Sequence, residues 1–119
     1  MKRAKMKLNI YPTKETLEDE SMIIIDIRTE PEWIQTGIVK ESKCITFFNE
    51  DGSYDEEKFF KEIDSLGGKE QHFGLICRTG SRTHQLAMFM YQKGYKVQNL
   101  AGGILKLIAE GYEPVEYKQ

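Results

Sequence analysis

Cys77 lies where an apolar segment gives way to a short polar loop, and this position could hold a reactive thiol. The five residues that follow it, 78–82, all carry a backbone N–H that can turn toward the sulfur and form an anion-binding nest. Hydrogen bonds to a charged acceptor contribute about 1.5–3 kcal/mol each, so two or three converging N–H groups would hold the sulfur as a thiolate. We therefore predict that Cys77 is a nucleophile, because the thiolate is the reactive form.

The helix and the charges beside Cys77 favour the same state. The segment after the loop, residues 83–92, has the pattern of a helix, and a helix N-terminus favours a negative charge by about 0.3–1 kcal/mol. Arg78 and Arg82 flank the loop, and cationic neighbours also favour the thiolate. A cysteine that only fills a core as a small apolar residue needs neither these arginines nor Gly80, so the pattern favours the reactive thiol.

The composition is that of one ordinary globular domain. The chain has 119 residues, of which 30% are charged and 39% hydrophobic, and a domain of this size buries about 65% of its unfolded surface. The net charge of -2 gives no overall attraction to nucleic acid. No apolar stretch approaches the ~20 residues that cross a bilayer. We expect a single domain over residues 1–119, with no nucleic acid and no membrane among its partners.

The two cysteines, Cys44 and Cys77, indicate neither a metal site nor a thioredoxin-like pair, because they lack CxxC spacing and nearby histidine pairs. Their spacing allows a disulfide, but that bond would consume the nucleophile. Cys44 is expected to be a core residue on another strand. A role as a resolving or acceptor thiol stays open. The basic segment 1–7 is followed by a stretch too short and polar for a secretory signal, so we predict a cytoplasmic protein with free thiols.

Apolar runs typical of strands alternate with helical patterns along the whole chain. The predicted strands cover residues 8–11, 22–27, 44–48, 73–76 and 96–100. The predicted helices cover residues 13–17, 30–36, 53–66, 81–92 and 104–110. This order predicts an α/β fold, a single three-layer domain in which a parallel sheet of about five strands carries helices on both faces. Ligands of such sheets bind at the carboxyl ends of strands, where Cys77 falls.

Two capping boxes help to place the predicted helices. Thr29 with Glu32 should begin the second helix, and Ser53 with Glu56 the third. Within the second helix, the adjacent residues 33 and 34 are apolar and are both expected to face the core.

Several segments together resemble the rhodanese family of sulfurtransferases. The run Cys77-Arg78-Thr79-Gly80-Ser81-Arg82 resembles the family's active-site loop. Asp26-Ile27-Arg28 is similar to the Asp-x-Arg that ends the second strand, and Glu32-Trp33 to the Glu-aromatic pair after it. Residues 100–104 are similar to the double-glycine turn beside the active site. The chain departs from the family where Thr36-Gly37-Ile38 replaces a common Gly-His-Ile and lacks its histidine, and at Leu107, where a tryptophan is common.

This resemblance implies a rhodanese-like fold and a sulfurtransferase activity. The Cys77 thiolate would take a sulfane sulfur from a donor such as thiosulfate, hold it as a persulfide, and pass it to a thiol or cyanide. The residues that would form the loop around the donor are Arg78, Thr79, Gly80, Ser81 and Arg82. The implied partners are a small sulfur-containing anion and a thiol acceptor, which is a small molecule or a protein. No metal or organic cofactor is needed for this reaction.

Charged residues near the loop are predicted to support it. Asp26, Arg28 and Glu32 lie at or after the end of a strand, where an ion pair that holds a loop needs only proximity. Arg82 is expected to pair with one of the acids while its backbone closes the loop. Arg78 is expected to project outward and meet an anionic donor.

Two other functions stay open at this point. Phosphatases and arsenate reductases also use a cysteine loop that ends in arginine, but their C-x5-R spacing has one more residue than the four between Cys77 and Arg82. No aspartate can be assigned as a general acid, and His84 is expected at a helix surface instead of acting as a base. Rhodanese-like domains also serve as non-catalytic interaction or regulatory modules, although such modules commonly lack the cysteine.

Overall fold

Five strands form one parallel sheet in the computed structural model, which describes residues 6–118. The strands are β1 (Asn9–Ile10), β2 (Met22–Asp26), β3 (Lys43–Cys44), β4 (His72–Ile76) and β5 (Lys96–Leu100). Their order across the sheet is β1-β5-β4-β2-β3, and each neighbouring pair is parallel. Parallel neighbours need crossover connections, which is why helices separate the strands along the chain.

The helices cover both faces of this sheet. They are α1 (Lys14–Glu18), α2 (Glu30–Thr36), α3 (Glu56–Ser65), α4 (Ser81–Gln92) and α5 (Gly103–Ala109). On one face, Ile63 of α3 and Leu86 of α4 join the core cluster of Leu75. On the other face, Ile104 of α5 joins the cluster of Ile76. The predicted three-layer α/β architecture is confirmed. Within residues 6–118, none of the helices has the length and apolar character required to span a bilayer.

The two central strands are buried because they are apolar on both faces. Ile25 of β2 and the neighbouring Leu75 and Ile76 of β4 are all 0% exposed. Strands buried on both faces have a nearly continuous apolar sequence, and residues 22–26 show it. The carboxyl end of β4, which precedes Cys77, is therefore anchored in the rigid centre of the sheet.

Two predicted elements differ from the structure. The predicted strand 44–48 is only the two-residue edge strand β3, although the backbone N–H of Ile45 and of Phe47 still donate to β2 and the residue after it. Helix α3 does not begin at a Ser53 capping box. Its N-cap is Asp55, whose side chain accepts from the Lys58 N–H at 3.0 Å. Ser53 is instead held in the preceding turn, where its backbone N–H donates to the carboxylate of Asp51 at 2.9 Å.

Helix α2 turns only one of its two neighbouring apolar residues inward. Trp33 is 6% exposed and packs on Tyr117 with a ring-centroid distance of 5.2 Å. Ile34 is 60% exposed, so the prediction that it faces the core is wrong. Adjacent residues of a helix point about 100° apart. When Trp33 faces the core from this helix of seven residues, Ile34 is therefore turned away from it.

Candidate active site

Cys77 follows the last residue of β4 and begins the turn that leads into α4. Gly80 is the N-cap of α4 and adopts a φ of +96°, a conformation that favours glycine. A Cβ at this position would lie 2.8 Å from the backbone nitrogen of Gly102, so a larger residue would displace the neighbouring turn. Glycine therefore allows the loop to fold tightly above the end of the strand.

The sulfur of Cys77 is enclosed by its own loop and by the first turn of α4. The Gly80 N–H donates to Sγ at 3.1 Å, and the Thr83 hydroxyl oxygen lies 3.4 Å from Sγ. Cys77 is 0% exposed. Among residues 6–118, the Gly80 N–H is the one backbone amide that bonds this sulfur, whereas the sequence predicted two or three. The prediction that several amides surround the sulfur is therefore wrong, because the structure has one amide and one hydroxyl there.

The contacts of the loop with α5 explain this difference. The backbone N–H of Ile104 donates to the carbonyl of Cys77 at 2.9 Å, and that of Leu105 donates to the carbonyl of Arg78 at 3.1 Å. Gly103, at a φ of +63°, lies so close that a Cβ would be 2.4 Å from the Arg78 carbonyl oxygen. The N-terminus of α5 thus holds the carbonyls of Cys77 and Arg78, so the loop cannot curl fully around the sulfur.

Arg82 is held by a two-pronged ion pair with Glu32. Its two terminal nitrogens donate to the two carboxylate oxygens of Glu32 at 3.2 and 2.9 Å. Burial raises the pKa of Glu32, but the hydrogen bonds and charge of Arg82 and the bonds from Thr29 lower it by more, so the net shift is downward. The hydrogen bonds to Glu32 also hold the pKa of Arg82 above its ordinary value, against the effect of burial. The prediction that Arg82 pairs with one of the acids is confirmed.

Asp26 and Arg28 form a second ion pair that is fully buried. The Arg28 Nη2 lies 2.8 Å from the Asp26 Oδ2, and the two side chains are 1% and 0% exposed. Arg28 also donates to the Thr36 hydroxyl at 2.8 Å and to the Gly37 carbonyl at 3.0 Å. The pair therefore ties the end of β2 to the end of α2. The Thr36 hydroxyl contributes directly to this tie.

The outer side of the loop carries polar groups that reach solvent. Arg78, Thr79 and Ser81 are exposed, and the hydroxyls of Thr79 and Ser81 lie 3.4 Å apart. Arg78 thus presents a cation on the solvent side of the loop, in the direction that the sequence predicted. This surface can attract a small anion toward the loop.

Cys44 is in a different part of the molecule. It is half-buried on the edge strand β3, and both cysteines are free. Cys44 is in register with Asp26, and Asp26 is in register with Ile76 of β4. Two strand spacings, about 9.6 Å, thus separate it from the end of β4, and its side chain is on the face opposite that of Cys77. A disulfide needs Cα atoms within ~7 Å, so an intramolecular bond to Cys77 would require the sheet to rearrange.

The environment of Cys44 also makes it a poor nucleophile. Burial, and then the negative charge of Asp26, raise the pKa of the Cys44 thiol to about 11. Few Cys44 thiolates are therefore present near neutral pH. Among residues 6–118, no group of three or more His, Cys, Asp or Glu side chains is placed to hold a metal ion.

Comparison with known proteins agrees with this fold. The family model described as the rhodanese-like domain matches residues 12–110. This chain belongs to the rhodanese-like domain family. It is 28% identical over 93 residues to a Bacillus subtilis (strain 168) protein named "Putative sulfurtransferase YtwF", covering 77% of this chain and 80% of that protein.

Solved structures show the same rhodanese-like fold. A rhodanese-related protein from Thermoplasma volcanium has a TM-score of 0.60 at 24% identity, with 78% of this chain and 82% of that chain covered. A rhodanese-like domain protein from Staphylococcus aureus has a TM-score of 0.60 at 22% identity, with 88% and 89% covered.

Two polar residues of this rhodanese-like domain were missed by the sequence reasoning. Thr83 and Asn99 are 0% and 2% exposed; Thr83 lies 3.4 Å from the Cys77 sulfur and bonds to Asn99, although the two are 16 residues apart in the chain. A signal was available, since each is a polar residue at a position where its helix or strand faces the core. His84 hydrogen-bonds to the Asn9 side chain at 2.9 Å, at the edge of the same cluster.

Proposed function

We propose that this rhodanese-like protein is a sulfurtransferase that carries a sulfane sulfur as a persulfide on Cys77. The observation that carries the proposal is the Gly80 N–H, which donates to the Cys77 sulfur at 3.1 Å at the carboxyl end of the central strand β4. An N–H aimed at sulfur stabilises a negative charge that forms there. The family supports the same reaction, because sulfur transfer is what the name of the B. subtilis relative states.

The reaction is a double displacement that needs no external oxidant. The Cys77 thiolate attacks the outer sulfur of thiosulfate, the S–S bond of the donor breaks, and sulfite leaves with the bonding electron pair. The enzyme then carries an outer sulfur with a negative charge. A thiolate or cyanide attacks that outer sulfur, the enzymatic S–S bond breaks, and the Cys77 thiolate is restored.

The loop residues divide into two proposed roles. Arg78, Thr79 and Ser81 face solvent and would bind the anionic part of the donor. Arg82 is engaged by Glu32 through both terminal nitrogens, so its role is to fix the loop. The same engagement weighs against phosphate hydrolysis, because a phosphate-binding arginine needs its fork free for the substrate.

The enclosure of Cys77 limits the size of the donor and requires part of the loop to move before the reaction. Because Cys77 is 0% exposed, residues 79–81, which follow the carbonyls held by α5, have to move outward before Sγ can reach a donor. A compact anion such as thiosulfate needs the smallest such movement. Both thiols are free, which fits the reducing cytoplasm that we propose as the site of the reaction.

The test is sulfur loading measured by intact mass. After incubation with thiosulfate and removal of small molecules, we expect a one-sulfur increase that maps to Cys77 and disappears when cyanide is added, with formation of thiocyanate. Cys77→Ser should show no increase, and Cys44→Ser should load as the parent does. If neither thiosulfate, glutathione persulfide nor 3-mercaptopyruvate loads the protein, the proposal is wrong. A protein partner that binds Cys77→Ala as well as the parent would then indicate an interaction module.

A further inference from the structure

A closed set of hydrogen bonds connects the Cys77 sulfur to the last strand of the sheet. The Thr83 hydroxyl lies 3.4 Å from Sγ and donates to the side-chain oxygen of Asn99. The Asn99 amide nitrogen donates to the Gly80 carbonyl at 3.1 Å and to the Asn9 side-chain oxygen at 2.8 Å. Thr83 and Asn99 are almost completely buried, so these groups have no bulk water as an alternative partner.

The orientation of the Asn99 amide follows from one backbone group. The Gly80 carbonyl can only accept, so the side-chain atom of Asn99 that faces it must be the nitrogen. The oxygen of Asn99 therefore faces Thr83. An amide oxygen also can only accept, so the single hydroxyl proton of Thr83 must point toward Asn99 in this short contact.

This arrangement decides what Thr83 presents to the sulfur. A hydroxyl has one proton and two lone pairs, and its proton is engaged by Asn99. The other acceptor near it, the Gly80 carbonyl at 3.3 Å, also competes for that proton. Thr83 therefore faces Sγ with lone pairs. It can accept a hydrogen bond from a Cys77 thiol, but it opposes a negative charge on that sulfur.

We propose that Asn99 is a positioning residue that, through Thr83, stabilises Cys77 in forms without a negative charge on Sγ. The thiol is one such form. The persulfide is another, because its charge resides on the outer sulfur; this second statement rests on the proposed function. The Gly80 N–H and the Asn99–Thr83 pair thus act on Sγ in opposite directions, and Asn99 favours the loaded enzyme over the bare thiolate.

Substitutions at Asn99 and Thr83 do not change the charged groups near Cys77. These are Arg82 with Glu32 on one side, the buried pair of Asp26 and Arg28 at the end of β2, and the exposed Arg78. None of them bonds to Asn99 or to the Thr83 hydroxyl within the part of the chain that the structure describes. A change in ionisation that needs Asn99 and Thr83 together is therefore due to their hydrogen bond.

The experiment follows the thiolate absorbance of Cys77 near 240 nm against pH in a Cys44→Ser background, with Cys77→Ser subtracted. In Asn99→Leu, the Thr83 hydroxyl is released from the amide oxygen. The thiolate is charged and is therefore a stronger acceptor for the Thr83 proton than the neutral Gly80 carbonyl at 3.3 Å, so the hydroxyl can donate to the sulfur. We expect the ionisation curve to move to lower pH by about one to two units, which is the size of a hydrogen bond to a charged acceptor. Thr83→Val should abolish this displacement, so Asn99→Leu combined with Thr83→Val should titrate like Thr83→Val alone. Asn9→Ala, which leaves the Thr83 bond in place, should not move the curve.

Three outcomes would overturn the proposal. In the first, the Asn99→Leu curve does not move, and in the second it moves to higher pH. In the third, Asn99→Leu still displaces the curve when Thr83→Val is also present. If Asn99→Leu does not fold, Thr83→Val decides alone: we expect its curve at a lower pH than that of the parent, because the opposing lone pairs are gone, and a curve at the parental or a higher pH would overturn the proposal. The titration uses no sulfur donor, so it can succeed or fail independently of the loading assay.

Discussion

Replacement of Arg28 by leucine is expected to lower the free energy of unfolding strongly, although it does not change Cys77 itself. Arg28 and Asp26 are 0% exposed, and three hydrogen bonds of 2.8 to 3.2 Å join the arginine side chain to the carboxylate. Without the arginine, Asp26 remains as a buried charge with no counter-ion. Breaking such a pair from one side costs about 3–5 kcal/mol, a large part of the 5–15 kcal/mol that stabilises typical domains.

Removal of both charges is expected to cost less than removal of one. In Asp26→Leu combined with Arg28→Leu, no unpaired charge is buried. The other acceptors of Arg28 are the Thr36 hydroxyl and the carbonyls of Glu32 and Gly37, and the Thr36 hydroxyl lies within 3.1 Å of both carbonyls and can donate to either. The remaining cost is the lost acceptor of the Arg28 backbone N–H, about 1–3 kcal/mol.

Urea unfolding of the parent, the two single variants and the double variant measures this coupling. With an m value near 2 kcal/mol/M, a loss of about 3–5 kcal/mol moves the midpoint down by about 1.5–2.5 M. The double variant should unfold at higher urea than either single variant, and it should still load sulfur if the pair only supports the loop. Additive losses would refute the reasoning about a buried pair, and a stable double variant that no longer loads sulfur would refute the supporting role.

Three further predictions concern the loop and its surroundings. Because the folded pKa of Glu32 is lowered, its pair with Arg82 contributes stability above the ordinary glutamate pKa of 4.5, and this stability is lost as pH falls through the lower folded value. The urea midpoint of the parent should therefore fall over that pH range, and Glu32→Gln should remove this part of the pH dependence. A Glu32→Gln profile with the same pH dependence as the parent would contradict the prediction. Gly103→Ala should cost about 1–3 kcal/mol more than Gly111→Ala, since both have positive φ but only the first Cβ meets a neighbour, at 2.4 Å; equal unfolding free energies would show that the contact with the loop is unimportant. With a pKa of about 11, fewer than about one in a thousand Cys44 thiols is ionised at pH 7.5, so mass mapping should find its alkylation slow there and faster as pH rises; rapid alkylation at pH 7.5 would contradict the raised pKa.

The parts of the fold that could be predicted depend on short-range signals. The bounds of β5 and α4 agree with the predicted ones, because glycines flank β5 and a helical pattern follows the glycine before α4. The Thr29–Glu32 capping box is present for the same reason. The third helix was placed two residues too early, since Asp55 and Ser53 are both good N-caps and only the turn at Asp51 decides between them.

The candidate site divides in the same way. That a cysteine follows a buried strand and precedes a helix is determined by the order of the residues, and so is the resemblance to the rhodanese family. How that cysteine is surrounded was decided by contacts between residues distant in the chain: Glu32 meets Arg82 across 50 positions, and Asn99 meets Thr83 across 16. A local pattern states which donors are available near the sulfur. Only the packing of α5 and β5 against the loop determines which of them reach it, because a hydrogen bond depends on the position of both partners.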